Sequence, residues 1–377
     1  MDFSKLIRYM EDELCGKLGI PGCEIKVMQN HKVMFRHFCG FSDYEKTRPT
    51  NENTMYFMYS CTKPITCTAA LQLLEKGVFA LDTPVSKFLP AYKNAYLLKD
   101  GRKVAPKREM TIGHLMTMTA GLDYDAQSPY TKKVLENPNA STIDIVNSFI
   151  EKPLSADVGE KFEYSLCHDV LGAVIEVASG MKFSEYLKEN IFKPLGMART
   201  GFSLNETNLP YLAAQYDCQE DCTITPAPMV NSLRLNDNYE GGGAGLISCV
   251  EDYSLFVDAM ANGGVGATGN QILKPETIDM MHKVQLPLFA DDPVFPIKSI
   301  GPGYSYGLGV RTLVDKSDGQ RSPIGEFGWD GAAGSYTMMD PENKLSIAYG
   351  MHVRAWARIL PLAHGELRDL TYEALGL

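Results

Sequence analysis

Apolar positions alternate as in strands at both ends of the chain and follow a helical spacing in its middle. Residues 22–43 (GCEIKVMQNHKVMFRHFCGFSD) predict two strands around an NHK turn, and residues 3–18 predict an amphipathic helix before them. In the last third, strands are predicted for YGLGVRTLV, GSYTMMD and KLSIAYGMHV, with PENK as a hairpin turn. Residues 363–377 predict a closing helix.

Helices and long loops fill the region between these strands. Helical segments are predicted at residues 60–77, 111–121 and 168–180, each ending at a glycine. The glycine-rich run GGGAG at residues 241–245 precedes a further helix that ends in NGG. We interpret this run as a mobile hinge, because it lacks the lysine and the spacing of a phosphate-binding loop.

The whole pattern predicts an α/β chain of the α+β type. Strands from both termini form one antiparallel sheet, which terminal helices flank, and a mostly helical region is inserted between them. We assign residues 1–80 and 236–377 to the sheet domain and residues 81–235 to the inserted domain. The active site is expected at the interface of the two.

Composition narrows the possible functions. The 377 residues carry a formal net charge of −10, which argues against nucleic acid as a partner. No apolar run is long enough to span a membrane, and residues 1–22 lack the basic and apolar regions of a signal peptide. The nine scattered cysteines favour reduced thiols and a cytoplasmic location. Cys218 and Cys222 form a close pair without further ligands nearby in sequence, so no metal site is predicted.

The stretch FMYSCTKPIT, residues 57–66, carries candidate chemistry. Pro64 is tolerated only near a helix start, which places Ser60 in the first turn, where backbone N–H groups have no helical partner. Lys63 follows one turn later on the same face. These residues are compatible with a nucleophile and its base, and also with a helix-capping serine beside a solvated lysine.

Further motifs, which follow one another along the chain, favour the nucleophile and its base over the capping serine. FMYSCTKPIT resembles the nucleophile helix of the serine β-lactamase and penicillin-binding-protein superfamily, most closely the branch of class C β-lactamases and family VIII carboxylesterases. MTIGHLMTMTAGL, the stretch around EYSLCHDVLG, the glycine-rich run with its helix, and FGWDGAAGSYTMMD are similar to later parts of that family in the same order. The resemblance covers about residues 20–350 and implies the β-lactamase/transpeptidase-like fold.

The resemblance also implies roles for single residues. Ser60 corresponds to the nucleophile, Lys63 to its proton-accepting neighbour, and Tyr164 to the second-motif tyrosine, with Lys63 and Tyr164 both open as the resting base. The backbone N–H groups of Ser60 and Ala332 are expected to form the oxyanion hole. Gly331, in the third motif WDG, is expected to let a substrate approach the strand edge.

Two departures from the family pattern bear on the substrate. Leu166 stands where the family's second motif usually has an asparagine that binds the amide of a β-lactam. Trp329 stands where the third motif usually has a cation that pairs with a substrate carboxylate, and Asp330 beside it is expected to repel such a carboxylate. Both changes favour neutral, more apolar acyl substrates.

Other candidate nucleophiles have weaker sequence support. Ser305 lies in GYSYG, which matches the nucleophile elbow of another hydrolase class but precedes a predicted strand instead of a helix. Ser179 and Lys182 repeat the serine-lysine spacing at a helix end. His168 and Asp169 are adjacent on a helix, so they point to different faces and do not form a triad with a serine.

The sequence therefore predicts a cytoplasmic serine hydrolase, and specifically a carboxylesterase acting on small neutral esters. A β-lactamase or D-amino-acid peptidase activity and a non-catalytic scaffold of the same fold remain alternatives. The resemblance implies no metal and no cofactor. The expected partner is a small-molecule ester, and neither nucleic acid nor a membrane is expected.

Overall fold

The computed structural model describes residues 1–295, 301–354 and 360–377. The strands are β1 Gly22–Gln29, β2 Lys32–Gly40, β3 Met55–Phe57, β4 Leu97–Lys99, β5 Arg102–Val104, β6 Tyr216–Cys218, β7 Ile224–Pro226, β8 Ile247–Cys249, β9 Tyr304–Tyr306, β10 Arg311–Leu313, β11 Phe327–Asp330, β12 Tyr336–Asp340, β13 Leu345–Met351 and β14 Val353–Arg354. Strands from both chain ends form a seven-stranded antiparallel sheet in the order β2-β1-β13-β12-β11-β10-β9, which confirms the predicted fold class.

Helices cover both faces of this sheet. The chain opens with α1 and a π-helix at Tyr9–Lys17, which together confirm the predicted N-terminal helix. The α-helices are α1 Ser4–Arg8, α2 Thr62–Glu75, α3 Ile112–Met116, α4 Pro129–Leu135, α5 Thr142–Ser148, α6 Cys167–Ser179, α7 Phe183–Leu187, α8 Lys193–Leu195, α9 Val250–Ala261, α10 Pro275–His282, α11 Leu286–Phe289 and α12 Leu360–Leu375.

The turns explain why the end strands pair as predicted. Asn30 and His31 both have positive φ (49° and 67°), the backbone that a two-residue hairpin requires, and asparagine tolerates it well. The predicted strand over residues 306–314 is wrong as a single element. Gly309 has φ +83°, and the N–H of Gly307 donates to the carbonyl of Val310, so the chain turns there and forms the β9–β10 hairpin.

Two hydrophobic clusters lie on opposite faces of the sheet. The smaller packs the N-terminal helices and α12 against β1, β12 and β13. The larger joins the other face to α2, α6 and α9, and every residue from Thr62 to Leu73 is buried in it. Burying a polar side chain is costly unless it has a hydrogen-bond partner. The fully buried Lys63 of α2 is therefore a candidate for a functional role.

The domain limits at residues 80/81 and 235/236 stay a prediction. The predicted sheet segment 236–377 includes residues 296–300 and 355–359, which lie outside the described residues. Across the rest of the chain, no helix is long and apolar enough to cross a bilayer.

Candidate active site

Strand β3 leads into the turn that presents Ser60. β3 pairs with β8, and a 3-10 turn at Tyr59–Cys61 then connects it to α2. Tyr59 has φ +45°, a left-handed backbone that is rare for a bulky residue and concentrates at functional sites. Its hydroxyl donates to Gln215 Oε1 at 2.6 Å, which anchors the strained residue. Ser60 is thus held in this 3-10 turn just before the α-helix, which begins two residues later than the position of Pro64 predicts.

Lys63 lies beside the predicted nucleophile. Its Nζ donates to Ser60 Oγ at 3.1 Å and to the carbonyl oxygen of Gly243 at 2.7 Å. The side chain is completely buried. The alternative of a solvated lysine beside a capping serine is therefore wrong, because neither residue faces water and the Ser60 hydroxyl caps no helix.

Tyr164 completes the contact with Ser60. It lies in the loop just before α6, and its hydroxyl donates to Ser60 Oγ at 2.7 Å. The indole Nε1 of Trp329 donates to the same Tyr164 oxygen at 3.3 Å. The phenol ring is stacked between Tyr124 and Trp329, with centroid distances of 5.5 and 5.8 Å. Tyr164 is therefore fixed by an aromatic stack and by a donor that stabilises negative charge on its oxygen.

The charge of Lys63 reflects opposing effects. Burial lowers the pKa of the ammonium, whereas negative charge at Tyr124, Tyr164 and Asp169 raises it, and the net direction is upward. Burial raises the pKa of Tyr124 to about 12, so its phenol is neutral near neutral pH and does not raise the pKa of Lys63 there. The raised pKa favours the ammonium form of Lys63, in keeping with the two hydrogen bonds that it donates.

The third-motif residues separate onto two faces of β11. Successive side chains of a strand point to opposite faces. Trp329 accordingly faces Tyr164, while Asp330 lies on the other face, where it pairs with Arg311 at 3.0 Å and with His364 of α12 at 3.6 Å. Burial raises the pKa of Asp330, but Arg311 and His364 outweigh it and hold that pKa below its usual value. The predicted repulsion of a substrate carboxylate by Asp330 is therefore wrong.

The remaining predicted site residues have mixed outcomes. A Cβ at Gly331 would collide with the carbonyl oxygen of Met58, so this glycine packs closely against the segment before Ser60. Its part in the approach of a substrate stays a prediction. Ala332 lies in the tight turn that follows, half-buried, and its part in an oxyanion hole stays a prediction. Leu166 is 4% exposed within the main core, and its role as a substrate wall also stays a prediction.

The structure gives the rival serines ordinary surroundings. Ser305 lies in the edge strand β9, which a hairpin to β10 follows, so the strand-turn-helix of a nucleophile elbow is absent there. Ser179 Oγ donates to carbonyl oxygens at the end of α6, and the exposed Lys182 forms an ion pair with the buried Glu240.

His168 and Asp169, adjacent on α6, contact different partners, as expected. His168 is fully buried, with Nε2 3.3 Å from the carbonyl oxygen of Met116. Burial lowers the pKa of His168 to about 3, so it is a neutral core histidine. Asp169 instead accepts a hydrogen bond from the Tyr239 hydroxyl at 2.7 Å. Within the described ranges, no three His, Cys, Asp or Glu side chains group as metal ligands.

Sequence reasoning missed the glycine run as part of the site. Residues 241–244 are buried against α2, and the carbonyl oxygens of Gly242 and Gly243 accept hydrogen bonds from Thr66 and Lys63. The prediction of a mobile hinge is therefore wrong. A signal was available, because three consecutive glycines also indicate close backbone approach.

Comparison with known proteins agrees with this site. The family model for Beta-lactamase matches residues 6–361. The chain belongs to the Beta-lactamase family. It is a serine hydrolase of the β-lactamase superfamily, which confirms the resemblance seen in the motifs. Esterase EstB from Burkholderia gladioli is 28% identical over 361 residues, covering 89% of this chain and 87% of the relative.

Solved structures of this Beta-lactamase family fold align over nearly the whole chain. EstCE1, described as a hydrolase with promiscuous acyltransferase activity, aligns with a TM-score of 0.79 at 23% identity, over 99% of this chain and 98% of its own. Unliganded simvastatin synthase from Aspergillus terreus, as a selenomethionyl derivative, aligns with a TM-score of 0.77 at 22% identity, over 99% and 97%. At these identities the alignments establish the fold.

Proposed function

We propose that this hydrolase is a carboxylesterase that cleaves small neutral esters through an acyl-enzyme on Ser60. The observation that carries the proposal is the convergence of Lys63 and Tyr164 on Ser60 Oγ, at 3.1 and 2.7 Å. One oxygen thus contacts both groups needed to remove and return its proton. The 28% identity to Esterase EstB supports the ester as the substrate class.

The proposed reaction has two halves. Ser60 Oγ attacks the ester carbonyl carbon, its proton passes to the Lys63–Tyr164 pair, and the oxyanion is held by backbone N–H groups, for which Ser60 and Ala332 are the candidates. The carbon–oxygen bond to the alcohol breaks, and the alcohol leaves with that proton. Water then attacks the carbonyl carbon of the acyl-serine and gives a proton to the same pair. The bond from that carbon to Ser60 Oγ breaks, the carboxylic acid leaves, and the pair returns the proton to Ser60 Oγ.

Trp329 supports a neutral substrate. The third-motif position carries an indole instead of a cation, and its N–H is committed to Tyr164. Arg311, the nearby cation of β10, lies across the sheet in the pair with Asp330. Of the two third-motif residues, only Trp329 therefore disfavours a substrate carboxylate. The cytoplasmic location stays a prediction from the cysteine usage.

Turnover of p-nitrophenyl acetate and butyrate against nitrocefin tests the substrate class. Because a hydrogen bond to a charged group contributes about 1.5–3 kcal/mol, we expect kcat/KM for nitrocefin to be about 10- to 100-fold below that for the esters. Ser305→Ala is the control and should keep wild-type ester turnover. Faster turnover of nitrocefin than of either ester would favour the β-lactamase alternative, and no turnover of any substrate would favour the scaffold.

A further inference from the structure

The β4–β5 hairpin and the residues beside it carry a charge opposite to that of the rest of the chain. Residues 93–108 contain six lysine or arginine residues and one aspartate, which is a net charge of +5. Because the whole chain carries −10, the remaining residues together carry −15. The whole-chain charge, which argues against an anionic partner, therefore does not describe this segment.

The fold leaves most of these cations without a carboxylate. All six are exposed, namely Lys93, Lys99, Arg102, Lys103, Lys107 and Arg108. Among the residues that the structure describes, only Arg108 has an ion-pair partner, which is Asp291. Lys99 and Arg102 lie directly opposite each other in the hairpin, and like charges in that position are destabilising. An anionic partner outside the chain would remove this repulsion.

The hairpin also exposes apolar side chains on both of its faces. Leu98 is 54% and Val104 is 39% exposed. The strand register pairs Leu98 with Lys103 and Val104 with Leu97, so Leu98 and Val104 point to opposite faces. A flat protein surface or a nucleic acid backbone covers only one face of a hairpin. A layer of lipid headgroups, in contrast, surrounds both faces of a tip that enters it.

The shape of the hairpin suits such an entry. All residues from 98 to 105 are exposed, so the tip projects from the helical region. Its turn is Asp100–Gly101, with φ values of 50° and 74°, the tight two-residue connection that matches the twist of the flanking strands. The tip is therefore narrow, with cations on both strands next to the turn.

We propose that the β4–β5 hairpin docks this protein onto the surface of an anionic lipid bilayer. The exposed cations contact lipid phosphates, and Leu98 and Val104 enter the boundary between headgroups and acyl chains. The attachment is peripheral and does not depend on the proposed esterase function. It departs from the expectation of no membrane partner, which rests on the lack of a spanning segment and on the charge averaged over the chain.

Flotation of the full chain with lipid vesicles tests the docking. The protein should partition onto phosphatidylcholine vesicles that contain about 30% phosphatidylglycerol at least about tenfold more strongly than onto phosphatidylcholine alone. Raising the salt from about 50 to about 500 mM should release it, because salt screens the attraction. Equal partition onto the two kinds of vesicle, or no partition onto either at low salt, would overturn the proposal.

A charge reversal at the tip locates the contact. The double variant Lys99→Glu/Arg102→Glu keeps like charges opposite each other in the hairpin and should weaken partition onto the anionic vesicles about 30-fold. The matched control is Lys188→Glu/Lys283→Glu, which changes the net charge equally at two exposed lysines elsewhere. The control should stay within about threefold of the wild type. An equal loss in both variants would show that net charge alone decides and would overturn the role of the hairpin.

The apolar contact is tested by Leu98→Ser/Val104→Ser, which should weaken partition about tenfold through lost apolar burial. Unchanged partition of this variant would overturn the entry of the tip and favour a purely polyanionic partner. Circular dichroism and p-nitrophenyl acetate turnover in solution should equal those of the wild type in every variant, since the hairpin lies outside the residues that contact Ser60. A wild type that floats without hydrolysing the ester would defeat only the esterase proposal.

Discussion

Replacing Lys63 by methionine is expected to lower kcat for p-nitrophenyl acetate by about 10³-fold, within the range that general acid–base groups contribute. Methionine has a similar length and fits an apolar environment, so the buried site keeps its shape. It removes the ammonium that contacts Ser60 Oγ and that compensates the charge of Asp169. Stopped-flow or steady-state assay of the folded variant measures the loss.

Lys182→Met is the matched control for this substitution. Lys182 has the same spacing from Ser179 as Lys63 has from Ser60, but its side chain is 56% exposed and pairs with Glu240. Its activity should equal that of the wild type. If Lys63→Met retains kcat within about tenfold of the wild type, Lys63 does not move the serine proton and the proposed mechanism is wrong.

Replacing Arg311 by methionine is expected to lower the free energy of unfolding by about 3–5 kcal/mol, the usual loss when one partner of a buried ion pair is removed. The guanidinium is 2% exposed, lies 3.0 Å from Asp330 and donates to the carbonyl oxygen of Thr337. Glu326 lies 3.7 Å away and is fully buried. The variant leaves the buried carboxylates of Asp330 and Glu326 without the guanidinium, and of its described ion-pair partners Asp330 keeps only His364 at 3.6 Å. Urea unfolding at pH 7 measures the loss.

The pH dependence distinguishes this ion pair from simple loss of packing. Arg311 holds the pKa of Asp330 below its usual value, so the stabilisation is present above pH 4 and is lost as pH falls through the folded pKa. The deficit of Arg311→Met should therefore shrink in acid. Arg108→Met, which breaks an exposed pair with Asp291, should cost less than about 1 kcal/mol. An equal deficit at pH 7 and in acid would contradict the electrostatic explanation.

Local signals were enough to predict much of the fold. The NHK and PENK turns, the alternation of the end strands and the glycines that end α6 and α9 are all read from neighbouring residues. Ser60 and Tyr164 are 104 residues apart in the sequence, and their side chains meet only in the folded chain. Only the ordered motifs of the resemblance could predict this contact, because spacing alone favoured a capping serine.

What the sequence did not predict depends on contacts between distant segments. The third motif predicts Asp330 at the substrate site, although strand alternation alone places it opposite Trp329. Its partner Arg311 lies on β10, and the sequence does not show that β10 pairs with β11. The glycine run was mistaken for a hinge because its partners, Asp169 and Lys63, lie on α6 and α2. Short strands such as β3 and β8 carry too few residues to show a period.

The most direct test of the account is covalent labelling with a fluorophosphonate, read by intact mass and then by peptide mapping. The wild type should gain one adduct per chain, on the peptide that contains Ser60, and ester hydrolysis should stop in parallel. Ser60→Ala should gain none, whereas Ser305→Ala should label as the wild type does. An adduct on Ser305, or full esterase activity in Ser60→Ala, would contradict the assignment of Ser60 as the nucleophile.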